Sequence, residues 1–298
     1  MHTHKALPRS AKVPGRAPAV LVVLAVTLGA AFVLVPGRLA AIGTEDGFSS
    51  QRNLVDTLSP AFVRYWKSGN RRFPPDLERV VDYWFRFHVV KGVLAAALLI
   101  VFVALAVRLW KAFLRPGGPG ASGGPGASGG PGAEGRGLAL AAVLVSVLAL
   151  VSLAALMANV QGAMAPFSSA TGLLPLGAPS GRFAGAVDQI KQGLAHYPST
   201  HGQNAAALKV MVDDFGRYHA VLAVLASAVA VALIGLSVLA WRRFAATARP
   251  DGRTRRTMRS FGVLSALLAL MVLVIAVANA GTAAEPAPAL LGFYEGGL

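Results

Sequence analysis

The sequence predicts an all-α polytopic membrane bundle: five transmembrane helices from a tandem parallel duplication, with a small helical extracytoplasmic cap. Three observations predict it. Five stretches (19–35, 89–107, 138–158, 220–240 and 261–278) are apolar over lengths near the 20 or so residues that cross a bilayer. Polar and aromatic landmarks recur at one constant spacing. Basic residues collect in alternate segments between the apolar stretches.

Taken in order, residues 1–18 form a basic cytoplasmic tail with Lys5, Arg9, Lys12 and Arg16 and no acid. The run 19–35 has the charge pattern of a secretory signal, and Leu39-Ala40-Ala41 resembles a cleavage region. The second half of the chain also opens on a span, however, so retention as a signal anchor is expected. Residues 19–113 then read as a first repeat unit of span, outer loop and span. In that loop a helix is predicted around 53–66, a break at Pro74-Pro75, and a helix from Asp76 into the second span. Lys91 is the only charge inside any of the five stretches.

Residues 114–136 contain GGPGAS twice and GGPGAE once. Such a tract has nothing to pack and predicts a flexible cytoplasmic linker. A second unit follows at 137–244, with helices predicted around 183–196 and from about 204. A basic cytoplasmic loop at 245–260 leads to the fifth span and an external tail, 261–298.

The duplication rests on residues that do not coincide by chance. Asp82-Tyr-Trp-Phe-Arg86-Phe-His88 precedes an apolar run that closes on Trp110 and Phe113. Asp213-Asp-Phe-Gly-Arg217-Tyr-His219 precedes another that closes on Trp241 and Phe244. The Asp, Arg, His, Trp and Phe positions all coincide at an offset of 131 residues. The fifth span matches the third at an offset of 120, including Ala158-Asn159 against Ala278-Asn279. A repeat of this kind decides architecture, and because both units enter from the same side the repeats are parallel.

Charge orients the chain. The tail, the segment after the second span and the segment after the fourth hold 15 basic and 2 acidic residues; the other three segments hold 12 and 11. Lys and Arg collect in cytoplasmic loops, which predicts the N-terminus inside and the C-terminus outside. The net charge of +15 is thereby a topology signal that also meets lipid head groups, and no nucleic-acid partner is expected. There is no cysteine, which excludes disulfides, thiolate metal sites and cysteine nucleophiles. Arg outnumbers Lys 21 to 7, and Ala, Gly, Val and Pro are abundant. In this compositional style the chain resembles polytopic membrane proteins of high-GC actinobacteria.

The polar constellation present in both halves is the candidate site: Asp82, Arg86 and His88 with Asp213, Arg217 and His219. The spacing of Asp82 to Arg86 and of Asp213 to Arg217 is i, i+4, which predicts intrahelical ion pairs at the contact between the two units. The plainer reading is interfacial anchoring, where aromatic and amphipathic side chains meet the bilayer surface. Two histidines at equivalent depth also suggest a metal or haem site, although no third ligand has the right spacing. No phosphate loop or Gly-x-Ser-x-Gly elbow occurs, and the spans hold no carboxylate of the kind proton-coupled carriers use.

The function expected is non-catalytic: an envelope-facing interaction, sensing or accessory protein of the cytoplasmic membrane. No cofactor is expected. The expected partners are the lipid bilayer and another membrane or envelope protein. A permease or channel subunit is the alternative, and a haem- or quinone-linked redox protein using His88 and His219 the third.

Overall fold

The computed structural model describes residues 16–42, 48, 51–115, 133–199 and 202–296, and every regular element among them is helical. The long helices are α1 (Arg16–Leu34), α4 (Pro75–Phe113), α5 (Ala133–Met164), α8 (Ala205–Ala246) and α9 (Gly252–Ala284). The shorter ones are α2 (Pro36–Ala40), α3 (Gln51–Ser68), α6 (Pro166–Thr171), α7 (Gly181–Ala195) and α10 (Pro286–Tyr294). Four helices, α4, α5, α8 and α9, are long and apolar enough to cross a membrane, and α1 carries a shorter apolar stretch, Pro18–Leu34. This is the make-up of a multi-pass membrane protein.

At about 1.5 Å per residue, the 42 residues of α8 extend roughly twice the ~30 Å hydrocarbon thickness. Only part of α8 can lie in lipid. Its apolar section runs from Ala220 to Ala240, and the section before it is amphipathic and joins a packed helical head. The same division holds in α4, where the head section precedes Val89.

Contacts divide the chain into two compact units, one drawn from the chain up to Ala31 and Ala97–Leu150, the other from Phe32–Ala96 and Val151–Leu298. In the first, Ala25, Val101 and Leu105 are buried together with Leu21, Leu28, Phe102 and Val145 packed on them. There the indole of Trp110 donates to Ser146 Oγ at 3.1 Å.

The second unit holds the α8–α9 hairpin and the head. In α8 the buried residues run Ala223, Ala226, Ala230, Leu233, Ser237 and Ala240, a spacing that alternates three and four. In α9 they are Met258, Gly262, Ala269 and Ala276. Small side chains let the two backbones approach, as helices in membranes do, and Ser237 Oγ donates to the Gly262 carbonyl at 2.9 Å. Val224, Val231 and Val277 are each more than 60% exposed. An apolar surface of that extent suits lipid and would be a liability in water.

The head packs α3, α6, α7 and α10 around the opening turns of α4 and α8. Leu58, Phe62, Tyr65, Leu77, Val80, Val187, Ile190 and Leu208 are fully buried there. Phe167 of α6 is the hub, its ring 4.7 Å from Phe73, 5.6 Å from Tyr65 and 6.4 Å from Phe62. Tyr65 donates to the Ala207 carbonyl at 3.4 Å; burial and the nearby Asp214 carboxylate push its phenol up, so the donor stays protonated. Arg64 clamps α3 to α4 by donating from Nε to Asp76 at 2.7 Å.

Several expectations change. The C-terminal segment is not a free tail, because α10 returns to the head and buries Ala287, Leu290 and Tyr294. The basic loop 245–260 is mostly helix: Asp251 accepts from the Thr254 amide at 3.0 Å and caps α9 at Gly252, so only 247–251 lie between the helices. Helix α5 begins at Ala133 and α1 at Arg16, which moves 133–136 and 16–18 from the linker and tail into helix. The rest of the linker (116–132) and tail (1–15) lie outside the described residues. Three short helices were not anticipated. α2, α6 and α10 each open with Pro, directly after a long helix and one intervening residue. Proline suits the first helical turn, where its missing N–H is not needed, and it stops the helix before it.

Candidate functional site

His88 and His219 lie on α4 and α8, just before the apolar sections begin. Each is bonded to an asparagine of the next long helix in the chain. His88 Nδ1 meets Asn159 Oδ1 at 3.0 Å, and His219 Nδ1 meets Asn279 Oδ1 at 2.8 Å. The amides are oriented by their own helices: Asn159 Nδ2 donates to the Ala155 carbonyl at 2.7 Å and Asn279 Nδ2 to Ile275 at 2.8 Å. Since the amide oxygen is an acceptor, each histidine carries its proton on Nδ1 and donates it.

Around His88 the network continues. Ser169 Oγ faces His88 Nε2 at 3.1 Å and accepts from the Trp84 indole at 3.0 Å. The donors run from Trp84 to Ser169, to His88, to Asn159, to the Ala155 carbonyl, without conflict. The ring fits because residue 162 is glycine; a Cβ there would lie 2.7 Å from three His88 ring atoms. With both nitrogens bonded within the protein, His88 has no free lone pair to offer a metal or haem iron. Among the described residues no group of three or more His, Asp or Glu is placed to hold a metal. His196 bonds the Gln192 carbonyl through Nδ1 at 2.9 Å; His2, His4 and His201 lie outside the described residues.

The expected ion pairs are replaced by others. Arg86 donates to the Ile42 carbonyl at 3.0 Å, and Asp82 is exposed. Asp213 pairs with Lys209 at 3.0 Å on the open surface, while Arg217 reaches Asp214 at 3.5 Å. Asp214 has no counterpart in the first half, where Tyr83 stands at the matching position. Its side chain is only 12% exposed and accepts from the Ser168 amide of α6 at 2.8 Å. Asp214→Ala is therefore expected to cost about 1.5–3 kcal/mol, since it removes a charged acceptor from a backbone donor. Asp213→Ala should stay within about 0.5 kcal/mol, the range of an exposed pair. Thermal unfolding in detergent compares the two, and equal effects would show that burial does not separate them.

Lys91, at the start of the apolar section of α4, faces two aromatic rings. Its Nζ sits 4.6 Å from the Phe32 ring centroid and 5.2 Å from that of Phe87, which is cation–π geometry.

The head also carries a groove of about 580 Å³ between α7 and the start of α8. Gln189, Gln192, Gln203 and Asn204 line it together with Trp66, His196 and Ser199. Trp66 donates to Gln189 Oε1 at 2.8 Å, which fixes one amide of the wall. Gly69, at φ +64°, turns the chain out of α3 so closely that a Cβ would overlap the Gln203 carbonyl; only glycine suits both demands. No family model, curated protein or solved structure matches this chain. What the groove can do therefore rests on its chemistry. Carboxamides each donate and accept hydrogen bonds, and among the described residues no carboxylate, Lys or Arg lines the groove. That lining suits an uncharged ligand rich in hydroxyl or amide groups. Sequence reasoning missed it because Gln and Asn at 189, 192, 203 and 204 read as ordinary surface residues until the fold gathers them.

Proposed function

We propose that this chain is a non-catalytic, envelope-facing interaction or sensing protein of the cytoplasmic membrane. It has five spans, with the N-terminus in the cytoplasm and the head outside. The carboxamide groove is the observation that carries the reading: it is open, uncharged and held on a rigid packed head. The chemistry favours binding, because the described lining is dominated by carboxamides that donate and accept hydrogen bonds. A tandem duplication underlies the architecture. Supporting it, a histidine on each head-to-span helix bonds an asparagine seven residues before the proline that opens the next short helix: Asn159 before Pro166, and Asn279 before Pro286. In the first copy Gly29 stands seven residues before Pro36, in the place of the asparagine.

The absence of cysteine makes every introduced thiol unique, and that provides the test. Gln192→Cys is expected to react with a membrane-impermeant maleimide on intact cells, whereas Arg249→Cys should react only after permeabilisation. The reverse pattern would put the head inside and end the envelope-facing reading. Gln192→Cys should also label more slowly in cells than as purified protein, because the groove is occupied in the cell. Equal rates would show an empty groove and remove the case for interaction.

A further inference from the structure

The basic segment between α8 and α9 has the charge of a topology signal, and the structure shapes it into a cavity. A pocket of about 480 Å³ opens at the α8–α9 turn, lined by Phe244, Arg249, Arg255, Arg256, Arg259 and the open backbone of Gly252. Gly252, Arg255, Arg256 and Arg259 are spaced i, i+3, i+4, i+7 and share one face of α9. Arg255 is fixed in the wall, donating to the Thr247 carbonyl at 2.8 Å and to Phe244 at 3.3 Å, with its guanidinium 4.3 Å from the Phe244 ring centroid. Arg249, Arg256 and Arg259 are exposed and have no hydrogen-bond or ion-pair partner among the described residues. The nearest acid in the chain, Asp251, is committed to the Thr254 amide. A Cβ at Gly252 would meet nothing within 4 Å, so the floor is clear.

We infer that this pocket binds the phosphodiester of an anionic phospholipid. Guanidinium groups match phosphate oxygens in bidentate geometry, and three exposed arginines line this pocket with no acid partner among the described residues. Depth selects the source. The apolar section of α8 ends at Ala240, just before Trp241 and Phe244, and that of α9 begins at Phe261, just after Arg259. The pocket therefore lies where the hydrocarbon ends, at the level of lipid head groups, with aromatic residues of the interfacial belt beside it. The inference stands apart from the proposed function, since the groove and this pocket lie at opposite ends of α8.

The test is native mass spectrometry of the full chain in mixed micelles containing phosphatidylglycerol. The wild type should retain the lipid, and Arg256→Gln/Arg259→Gln should retain it roughly ten- to thirty-fold less, because two charge-assisted contacts to the phosphate are lost. Arg242→Gln/Arg243→Gln removes the same charge from residues that do not line the pocket, and should keep wild-type retention. Inorganic phosphate at matching concentration should not displace the lipid. If the control variant loses as much lipid as the pocket variant, diffuse charge rather than this site holds the lipid, and the inference falls. If free phosphate competes as well as lipid does, the pocket is a soluble-anion site and the assignment to a membrane lipid is wrong. Unchanged circular dichroism in both variants shows that the comparison is between folded proteins.

Discussion

Phe167→Ala is expected to destabilise the head by about 3–5 kcal/mol, the range for emptying a buried aromatic position. Phe167 is 2% exposed and packs against Phe62, Tyr65 and Phe73. These rings come from α3, from the turn before α4 and from α6, so the cavity would open between elements instead of within one. Collapse is hindered because the rings belong to separately anchored segments: Arg64 holds α3 to α4, and Trp66 holds α3 to α7. Thermal unfolding in detergent, followed by near-ultraviolet circular dichroism, reports on the head, while helicity of the spans is followed separately in the far ultraviolet. A loss under about 1 kcal/mol would mean that Phe167 is not the centre of that core.

Gly162→Ala is expected to destabilise by about 1–3 kcal/mol, the cost of overpacking a filled site, against the usual sign for such a change. Replacing a helical glycine by alanine ordinarily stabilises by about 0.4–1 kcal/mol, by restricting the unfolded chain. Here the new methyl would sit 2.7 Å from the His88 ring. That ring cannot swing away without breaking its bonds to Asn159 and Ser169. Gly281→Ala is the control, since a Cβ there meets nothing within 4 Å, and it should stabilise slightly. Two glycines near the ends of α5 and α9 should thus respond with opposite sign. If Gly162→Ala also stabilises, the His88 network does not constrain the helix pair.

What could be read in the chain follows from how locally each feature is encoded. Long apolar runs and their interruptions are properties of neighbouring residues, so four of the membrane-length helices fall where hydropathy places them. The amphipathic helices α3 and α7 likewise fall near their predicted limits, at Gln51–Ser68 and Gly181–Ala195. The recurrence of His88 at His219, and of Asn159 at Asn279, was also legible by counting.

Pairing was not. At an offset of 131 the histidines matched each other, and at 120 the asparagines did, yet nothing in either spacing says that histidine bonds asparagine. That contact joins α4 to α5 and α8 to α9, and only helix packing brings the side chains within 3 Å. The ion pairs differ from the expected ones for a related reason. An i, i+4 spacing permits Asp213 to reach Arg217, but Lys209 lies one turn the other way, and burial beside α6 gives Asp214 the stronger claim on Arg217.

The amino-acid sequence by itself determined the helical class, the apolar sections and the recurring polar landmarks, because these depend on composition and periodicity along one helix. Tertiary structure decided which landmarks meet, that the C-terminal segment closes the head, and that scattered glutamines and arginines become a groove and a pocket. Those outcomes depend on residues far apart in the chain sharing one volume, and close packing, not spacing, selects which of them do.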